Sequence, residues 1–158
     1  MKTPNYLYAI FLFTFLFSAC VEDRFFEKNV AIPDGSWAID YRPEFIVAVD
    51  DTLTKYNFYV NIRNSGTYPY SNLYFFIKTM FPDGRFAIDT VECTLADEQG
   101  KWLGKGSGDI IDHQIMFKMK TAFPLKGNYT FLFEQGMREK ELKHILDVGL
   151  RIEKFEQK

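Results

Sequence analysis

Residues 56–63 read YNFYVNIR, and in this stretch aromatic or aliphatic side chains alternate with mostly polar ones. Successive side chains of a β-strand lie on opposite faces, so a period of two with one polar face predicts a half-buried strand in an antiparallel sheet. Its apolar face is formed by Tyr56, Phe58, Val60 and Ile62. We therefore expect the neighbouring segments to pair with this strand.

The surrounding chain carries the same kind of signal. Residues 110–119 and 129–134 also alternate, and residues 73–80 are almost continuously aromatic or aliphatic, which predicts a central strand covered on both faces. Residues 82–84 (PDG) are a hairpin turn signal, and residues 85–95 are expected to return as the partner strand. Short strands separated by turns, without alternating helices, predict two packed antiparallel sheets.

Residues 137–146, MREKELKHIL, are the one stretch with a helical pattern. Glu139 and Lys143 are spaced i,i+4, and the leucine and isoleucine residues of this stretch cluster as an apolar group. The predicted fold class is therefore all-β: an antiparallel two-sheet β-sandwich, jelly-roll-like, with one short helix near the C-terminus.

The N-terminus carries an export signal. Lys2 precedes an apolar run that ends at residues 11–20, FLFTFLFSAC, which is too short and wrongly flanked for a membrane span. We predict a lipoprotein signal peptide at residues 1–19 and a Cys20 that is lipidated, with palmitate among its acyl chains. An ordinary signal peptide that leaves Cys20 as an incidental thiol is the alternative. Several acyl chains on one residue would hold the protein at a membrane.

The remaining chain is long enough for one domain and too short for two. We assign residues 20–30 to the lipidated cysteine and its tether, which leads to a first edge strand, and residues 31–158 to a single β-sandwich domain. The chain has 47% hydrophobic and 18% aromatic residues, which argues against disorder and for sheet structure.

Charge and cysteine content exclude two classes of protein. The formal net charge is -2, so there is no concentrated basic surface of the kind that nucleic acid requires. Cys20 and Cys93 are the only cysteines, and acylation of Cys20 leaves Cys93 without an intrachain partner. A disulfide framework is therefore excluded, and Cys93 is predicted to be a small buried apolar residue.

No pattern indicates catalysis, a cofactor or a metal site. Residues 104–108 (GKGSG) resemble a phosphate-binding loop, but a strand rather than a helix is predicted to follow. His113 and His144 are the only histidines, and neither belongs to a local cluster of zinc ligands. Acidic pairs such as Asp50 and Asp51, or Asp109 and Asp112, lie at predicted strand ends, where turn and cap roles are expected. We predict a protein that is not an enzyme.

Two loops are candidate partner-binding segments, at residues 68–72 and 102–109. Tyr68 and Tyr70 belong to the densest aromatic patch near a loop, which either forms a contact surface or joins the core. Trp102 in the glycine-rich loop either stacks on a ligand or folds inward. The predicted contact residues are Tyr68, Tyr70, Asn72, Trp102 and Asp109.

Several segments, in this order, resemble the GldH gliding motility lipoprotein family of Bacteroidota. They are the lipobox and residues 32–37, 61–64, 68–73, 81–84, 89–90, 102–104, 108–109, 134–138 and 147–154. The resemblance implies a lipoprotein of the cell envelope, lipid-anchored at the outer membrane. It also implies a role in gliding with other Gld components and the type IX secretion apparatus, without enzyme activity.

Two functions follow from these predictions. The first is a non-enzymatic envelope lipoprotein that acts through protein–protein contacts with gliding or secretion components. The alternative is a carbohydrate-binding β-sandwich lipoprotein, with Trp102 or Tyr68 as a platform on which sugar rings stack.

Overall fold

The computed structural model describes residues 24–156. These residues form eleven β-strands and one 3-10 turn at Pro33–Gly35. The strands are β1 (Arg24–Ala31), β2 (Ser36–Ala38), β3 (Glu44–Val49), β4 (Lys55–Ser65), β5 (Asn72–Met80), β6 (Phe86–Thr94), β7 (Lys105–Ser107), β8 (Ile110–Ala122), β9 (Gly127–Gln135), β10 (Glu141–Lys143) and β11 (Ile145–Lys154).

The strands form three antiparallel sheets. A five-stranded sheet has the order β1-β11-β4-β8-β7, a four-stranded sheet has the order β3-β9-β5-β6, and β10 pairs with β2 alone. Apart from the β5–β6 and β7–β8 hairpins, successive strands of the two larger sheets lie in different sheets. The predicted all-β class is confirmed.

The stretch at residues 56–63 lies in β4, between β11 and β8. Its predicted apolar residues are all buried, and they belong to one hydrophobic core together with the buried residues of the four-stranded sheet. The rings of Phe58 in β4 and Phe131 in β9 lie 6.3 Å apart, which places the two larger sheets in direct contact. Cys93 is also buried, as predicted, and burial raises the pKa of its thiol to about 12.

The short helix predicted at residues 137–146 is wrong. This stretch contains β10 and the start of β11, and Leu142 is buried opposite Trp37 of β2. His144 between the two strands has φ 72, which no α-helix allows. An i,i+4 ion pair such as Glu139 and Lys143 would stabilise a helix by only about 0.3–0.5 kcal/mol. Burial of a leucine contributes about 1.5–3 kcal/mol, so the burial of Leu142 against Trp37 outweighs the ion pair and the segment forms a strand.

Residues 24–30, assigned from the sequence to the tether, form most of β1 and pair with β11. Phe25 lies beside Tyr56, with ring centroids 4.8 Å apart, which gives this edge strand an apolar contact with the core. Cys20 and the predicted signal peptide lie outside the described residues.

The two ends of the domain can be told apart by the strand register. Arg24 at the start of β1 pairs with Glu153, and Lys154 pairs with Tyr56, so residues 50–54 before β4 lie at the same end as Arg24. We name this the proximal end. The loops at residues 66–71, 95–104 and 136–140 lie at the opposite end, which we name the distal end.

Candidate functional site

All five predicted contact residues lie at the distal end, but Tyr68 is buried there. Its side chain is 4% exposed, and its hydroxyl donates a hydrogen bond of 3.0 Å to the carbonyl oxygen of Asn72. Burial raises the pKa of the Tyr68 phenol. Its ring also packs edge-on against Tyr70 at 5.6 Å. Tyr68 therefore shapes the loop from within and presents little surface to a partner.

Tyr70 and Asn72 connect the distal loops to one another. The Tyr70 hydroxyl donates to Oε1 of Glu139 over 3.0 Å, which joins the loop before β5 to the loop after β9. Asn72 Nδ2 donates to Oε1 of Glu92 at 3.2 Å, across the β5–β6 pair. Both side chains are half-buried, and their polar groups are used inside the protein.

Trp102 is half-buried and packs against the core. Its ring lies edge-on to the imidazole of His113, with centroids 6.3 Å apart, and its backbone bridges to Ala96. His113 is 6% exposed, and burial lowers its pKa, although nearby Asp112 acts in the opposite direction. Its Nε2 has no hydrogen-bond partner among the residues that the structure describes.

The glycine-rich segment forms a hairpin instead of a cradle for an anion. β7 pairs with β8, and Gly108 takes φ 68 in the turn between them. A Cβ at Gly104 would lie 2.5 Å from the carbonyl oxygen of Asp112, so only glycine lets this loop pack so closely on β8. Asp109 is exposed, and its carbonyl oxygen accepts the Gly66 N–H at 2.7 Å.

A polar groove that the sequence analysis missed lies on the outer face of the five-stranded sheet, with a volume of about 610 Å³. Its polar side chains come from six different strands, including Thr94 at the end of β6 and Lys105 in β7, so no local motif could reveal it. Arg63 donates from Nε to Oδ1 of Asp112 at 2.7 Å and from Nη1 to Oδ2 of Asp147 at 3.4 Å. These carboxylates, Asp112 first, raise the pKa of Arg63. Two carboxylates thus share one guanidinium, and Lys105, which lies opposite Asp112 in the register, offsets the second negative charge.

A row of side-chain amides crosses the groove beside these ion pairs. Gln114 Nε2 donates to Oδ1 of Asn61 at 3.3 Å, and Asn61 Nδ2 donates to Oδ1 of Asn29 at 3.0 Å. Asn61 also donates to Oε1 of Glu27 at 2.9 Å. The three amides lie on β8, β4 and β1, and the strand register aligns them across the sheet.

The outer face of the four-stranded sheet carries a group of exposed apolar side chains. Met80 of β5 lies opposite Phe86 of β6, and Lys78 lies opposite Ile88; Phe86 and Ile88 are 60% and 57% exposed. Ile46, Phe76 and Met80 are exposed on the same sheet. The near-continuous apolar run of β5 predicted cover on both faces, but only one face is covered: its residues alternate between buried and exposed or half-exposed. We name this surface the apolar face.

Two features are absent from residues 24–156. These residues contain no group of three or more His, Cys, Asp or Glu placed to hold a metal ion. No helix in the same part of the chain is long and apolar enough to cross a membrane.

The three antiparallel sheets define an all-β protein. Its two candidate binding surfaces are the polar groove on the five-stranded sheet and the exposed apolar side chains on the four-stranded sheet. A family model described as GldH lipoprotein matches residues 24–152. The chain belongs to the GldH lipoprotein family, which confirms the resemblance seen in the sequence.

Two curated relatives align along almost the whole chain. A protein of Christiangramia forsetii named "Gliding motility lipoprotein GldH homolog" is 35% identical over 153 residues, covering 92% of this chain and 93% of that protein. The "Gliding motility lipoprotein GldH" of Flavobacterium johnsoniae is 31% identical over 151 residues, covering 91% of this chain and 93% of that protein.

Proposed function

We propose that this chain is a lipid-anchored envelope protein that serves gliding motility by binding another protein component through its apolar face. The names of both relatives support the gliding role. The apolar face is the observation that supports protein binding, because contiguous exposed apolar surface on a water-soluble domain marks interaction sites. The partner is a gliding or type IX secretion component of the envelope.

The anchor in this proposal is Cys20, with palmitate among its acyl chains, in the outer membrane. The lipobox at residues 17–20 and the family description support it. Cells grown on labelled palmitate test it: the wild type is expected to carry label, and Cys20→Ala is expected to carry none. An unlabelled wild type contradicts the anchor.

The proposed fold is a jelly-roll β-sandwich. The alternation of successive strands between the two larger sheets supports it, since jelly rolls are built from eight strands in two such sheets. β2, β10 and β7 are then short additions to the eight main strands.

The proposed role is non-enzymatic. Both histidines are used in contacts within the domain: His113 packs on Trp102, and Nδ1 of His144 shares a 3.0 Å hydrogen bond with Oγ1 of Thr67. These placements support a role in which surface shape, and not a reacting group, carries the function.

The apolar face suits a protein partner for two reasons. Its rows run across all four strands, as in the row Ile46, Thr130, Met80 and Phe86, so it spans the width of the sheet. The ammonium of Lys78 lies 4.6 Å from the centre of the Phe86 ring, which places a cation beside the exposed apolar side chains, while Glu92 and Glu134 lie elsewhere on the same outer face. A matching partner presents apolar side chains with a carboxylate placed near Lys78.

A photo-crosslinking amino acid in place of Ile88 tests this surface. We expect ultraviolet light to join it to a gliding or secretion component, identified by mass spectrometry. The matched control carries the same amino acid in place of Gln114, on the other sheet, and is expected to give no such product. Equal products at both positions, or none at position 88, contradict the proposal; a crosslinked pair of identical chains would assign the face to self-association.

A second experiment tests function in cells with the variant Ile88→Glu, which places a charge on the apolar face and is expressed at the level of wild type. We expect loss of spreading on surfaces, or an altered profile of secreted proteins in a strain that does not glide. Full spreading together with an unchanged secretion profile contradicts the apolar face as the working surface.

The distal end is proposed as a second contact surface. Asp109 is exposed there and Trp102 is half-exposed, whereas Tyr68, Tyr70 and Asn72 hold the loops in place. Asp109→Lys is expected to weaken partner capture without changing the melting temperature, and unchanged capture would remove this surface from the proposal.

A further inference from the structure

The outer face of the five-stranded sheet is arranged in three rows that run across its strands. One row contains the ion pairs of Asp147, Arg63 and Asp112. The next contains the amides of Asn29, Asn61 and Gln114, and the third places Tyr59 between Arg151 and Met116. Neighbouring rows lie about 7 Å apart, because two residues along a strand separate them.

The amide row ends in unused hydrogen-bonding groups. Within residues 24–156, Nδ2 of Asn29 at one end has no acceptor, and Oε1 of Gln114 at the other end has no donor. The groove therefore offers a free donor and a free acceptor from planar amides. A hydroxyl group both donates and accepts, so a surface with both kinds of group is suited to hydroxylated ligands.

Gly149 provides the space that the amide of Asn29 occupies. It lies between Asn29 and Asn61 in the register, and a Cβ at this position would lie only 1.8 Å from Oδ1 of Asn29. The amide of Asn29 therefore lies over backbone where any other residue would place a side chain. Glycine within a strand often marks such a close approach of a ligand or another group.

The charges in the groove compensate one another. Arg63 is shared by Asp112 and Asp147, and Glu27 is bound by Arg24 and Arg151. Among the described lining residues, Lys105 is the other cation, and it offsets the second of the two aspartates that share Arg63. A strongly charged ligand would find little net charge to bind, which favours a neutral one.

The third row supplies an apolar surface next to the amides. Tyr59 is half-buried, and Met116 opposite it is exposed. An aromatic ring beside polar planar groups matches a sugar, which has an apolar C–H face and a rim of hydroxyls. The groove itself has a volume of about 610 Å³, within the range of small-molecule sites. Tyr59 and Met116 are not part of its lining; they lie one row beyond the amides, so a sugar on Tyr59 would extend out of the groove.

We propose that the polar groove binds a neutral carbohydrate, with the hydroxyls on Asn29 and Gln114 and the C–H face of a sugar ring on Tyr59. This site differs from the platforms that the sequence suggested, because Tyr68 is buried and Trp102 packs inward at the distal end. The proposal is independent of the gliding role, and it places sugar and protein partners on opposite outer faces. An extended polypeptide fits less well, since it needs apolar pockets for alternate side chains.

The test uses the purified full chain on an array of neutral and acidic oligosaccharides and of peptides. We expect binding to one or more neutral oligosaccharides, which titration calorimetry then quantifies. Asn29→Ala and Gln114→Ala are each expected to weaken that binding at least tenfold, and Tyr59→Ala to do the same. Thr90→Ala, exposed on the other sheet, is the matched control and is expected to bind as wild type does.

Melting temperatures of all variants separate lost binding from lost folding. Binding that survives in every groove variant overturns the proposal, as does an array with no neutral oligosaccharide bound. Exclusive binding of acidic sugars would assign recognition to Lys105 instead and overturns the neutral class. Binding of peptides alone would assign the groove to a polypeptide.

Discussion

Leu142 of β10 lies directly opposite Trp37 of β2, and both side chains are buried. The two residues are far apart in the sequence, and their pairing forms the small third sheet. The Trp37 indole Nε1 donates to the carbonyl oxygen of Tyr41 at 3.0 Å, which satisfies its polar group inside the core. Because Leu142 packs against the buried Trp37, the segment around Leu142 forms a strand that pairs with β2.

Leu142→Ala is expected to destabilise the protein by about 2–5 kcal/mol, because it leaves a cavity against Trp37. Lys143→Ala, exposed on the same strand, is expected to change stability by less than about 0.5 kcal/mol. Urea denaturation followed by Trp fluorescence measures both. Similar losses for the two variants would contradict the strand arrangement.

Gly149→Ala is expected to cost about 1–3 kcal/mol, because the new Cβ meets Oδ1 of Asn29 at 1.8 Å. In an Asn29→Ala background the cost should be smaller, although the carbonyl oxygen of Lys28 at 3.0 Å remains a close neighbour. A double-mutant cycle by denaturant unfolding measures this coupling. Strict additivity of the two changes would show that Asn29 does not cover Gly149.

His113 is expected to make stability fall as the pH drops. Burial lowers its pKa in the folded protein below the ordinary 6.5, so below that pH the unfolded chain binds the proton more readily than the folded one. This contribution is present above pH 6.5 and is lost progressively toward the lower folded pKa. His113→Leu should flatten the dependence between pH 7.5 and 5.

The measurement for His113 is the free energy of unfolding at several pH values within that range. Carboxylates with lowered pKa values, such as Asp51 and Glu134, lose their contributions at lower pH, outside the window. The slope is the readout, since any overall loss of stability in the variant shifts all points together. Equal slopes for wild type and variant would rule out a buried neutral His113.

Leu53 is expected to lie near the membrane if Cys20 carries the anchor. Three residues separate Cys20 from Arg24, and an extended chain spans at most about 3.3–3.6 Å per residue, so Arg24 at the proximal end lies within about 14 Å of the acylated residue. Leu53 is 88% exposed in the loop at that end, and its N–H donates to Oδ1 of Asp51 at 2.7 Å. An exposed leucine on an ordered loop is suited to the lipid interface.

Leu53→Trp and Leu103→Trp form the matched pair for this prediction, because Leu103 is 58% exposed at the distal end. The lipidated variants are reconstituted into vesicles that contain brominated phospholipids, which quench nearby Trp fluorescence. We expect strong quenching at position 53 and little at position 103. Equal quenching contradicts this orientation, whereas failure to join the vesicles contradicts the anchor itself.

Much of the strand content could be predicted because periodicity is local. Residues 56–63 and 129–134 show one apolar face in the sequence and bury that face in the structure. For residues 73–80 the prediction of cover on both faces was wrong. Apolar side chains on the open outer face of β5 look the same in the sequence as side chains that are buried. For residues 137–146 the predicted helix was wrong, because the strand that pairs with this segment begins at Ser36, about 100 residues earlier in the chain.

The candidate sites were predictable only in part. The loops around Tyr68 and Trp102 were recognised from aromatic and glycine content, but their exposure depends on what packs against them. The Tyr68 hydroxyl donates a hydrogen bond to the Asn72 carbonyl oxygen, and Trp102 packs against His113. No local sequence pattern indicates either contact, so the burial of these two side chains could not be predicted.

By itself, the sequence determined the family, the all-β class and the alternation of the central strand, and it predicted an export signal, because each of these depends on patterns among residues close together in the chain. Only the tertiary structure decided which faces stay open and what lines them. Asn29, Asn61 and Gln114 form one row because β1, β11, β4 and β8 adopt that order and register. The order arises from burial of a shared core, which is a property of the whole chain.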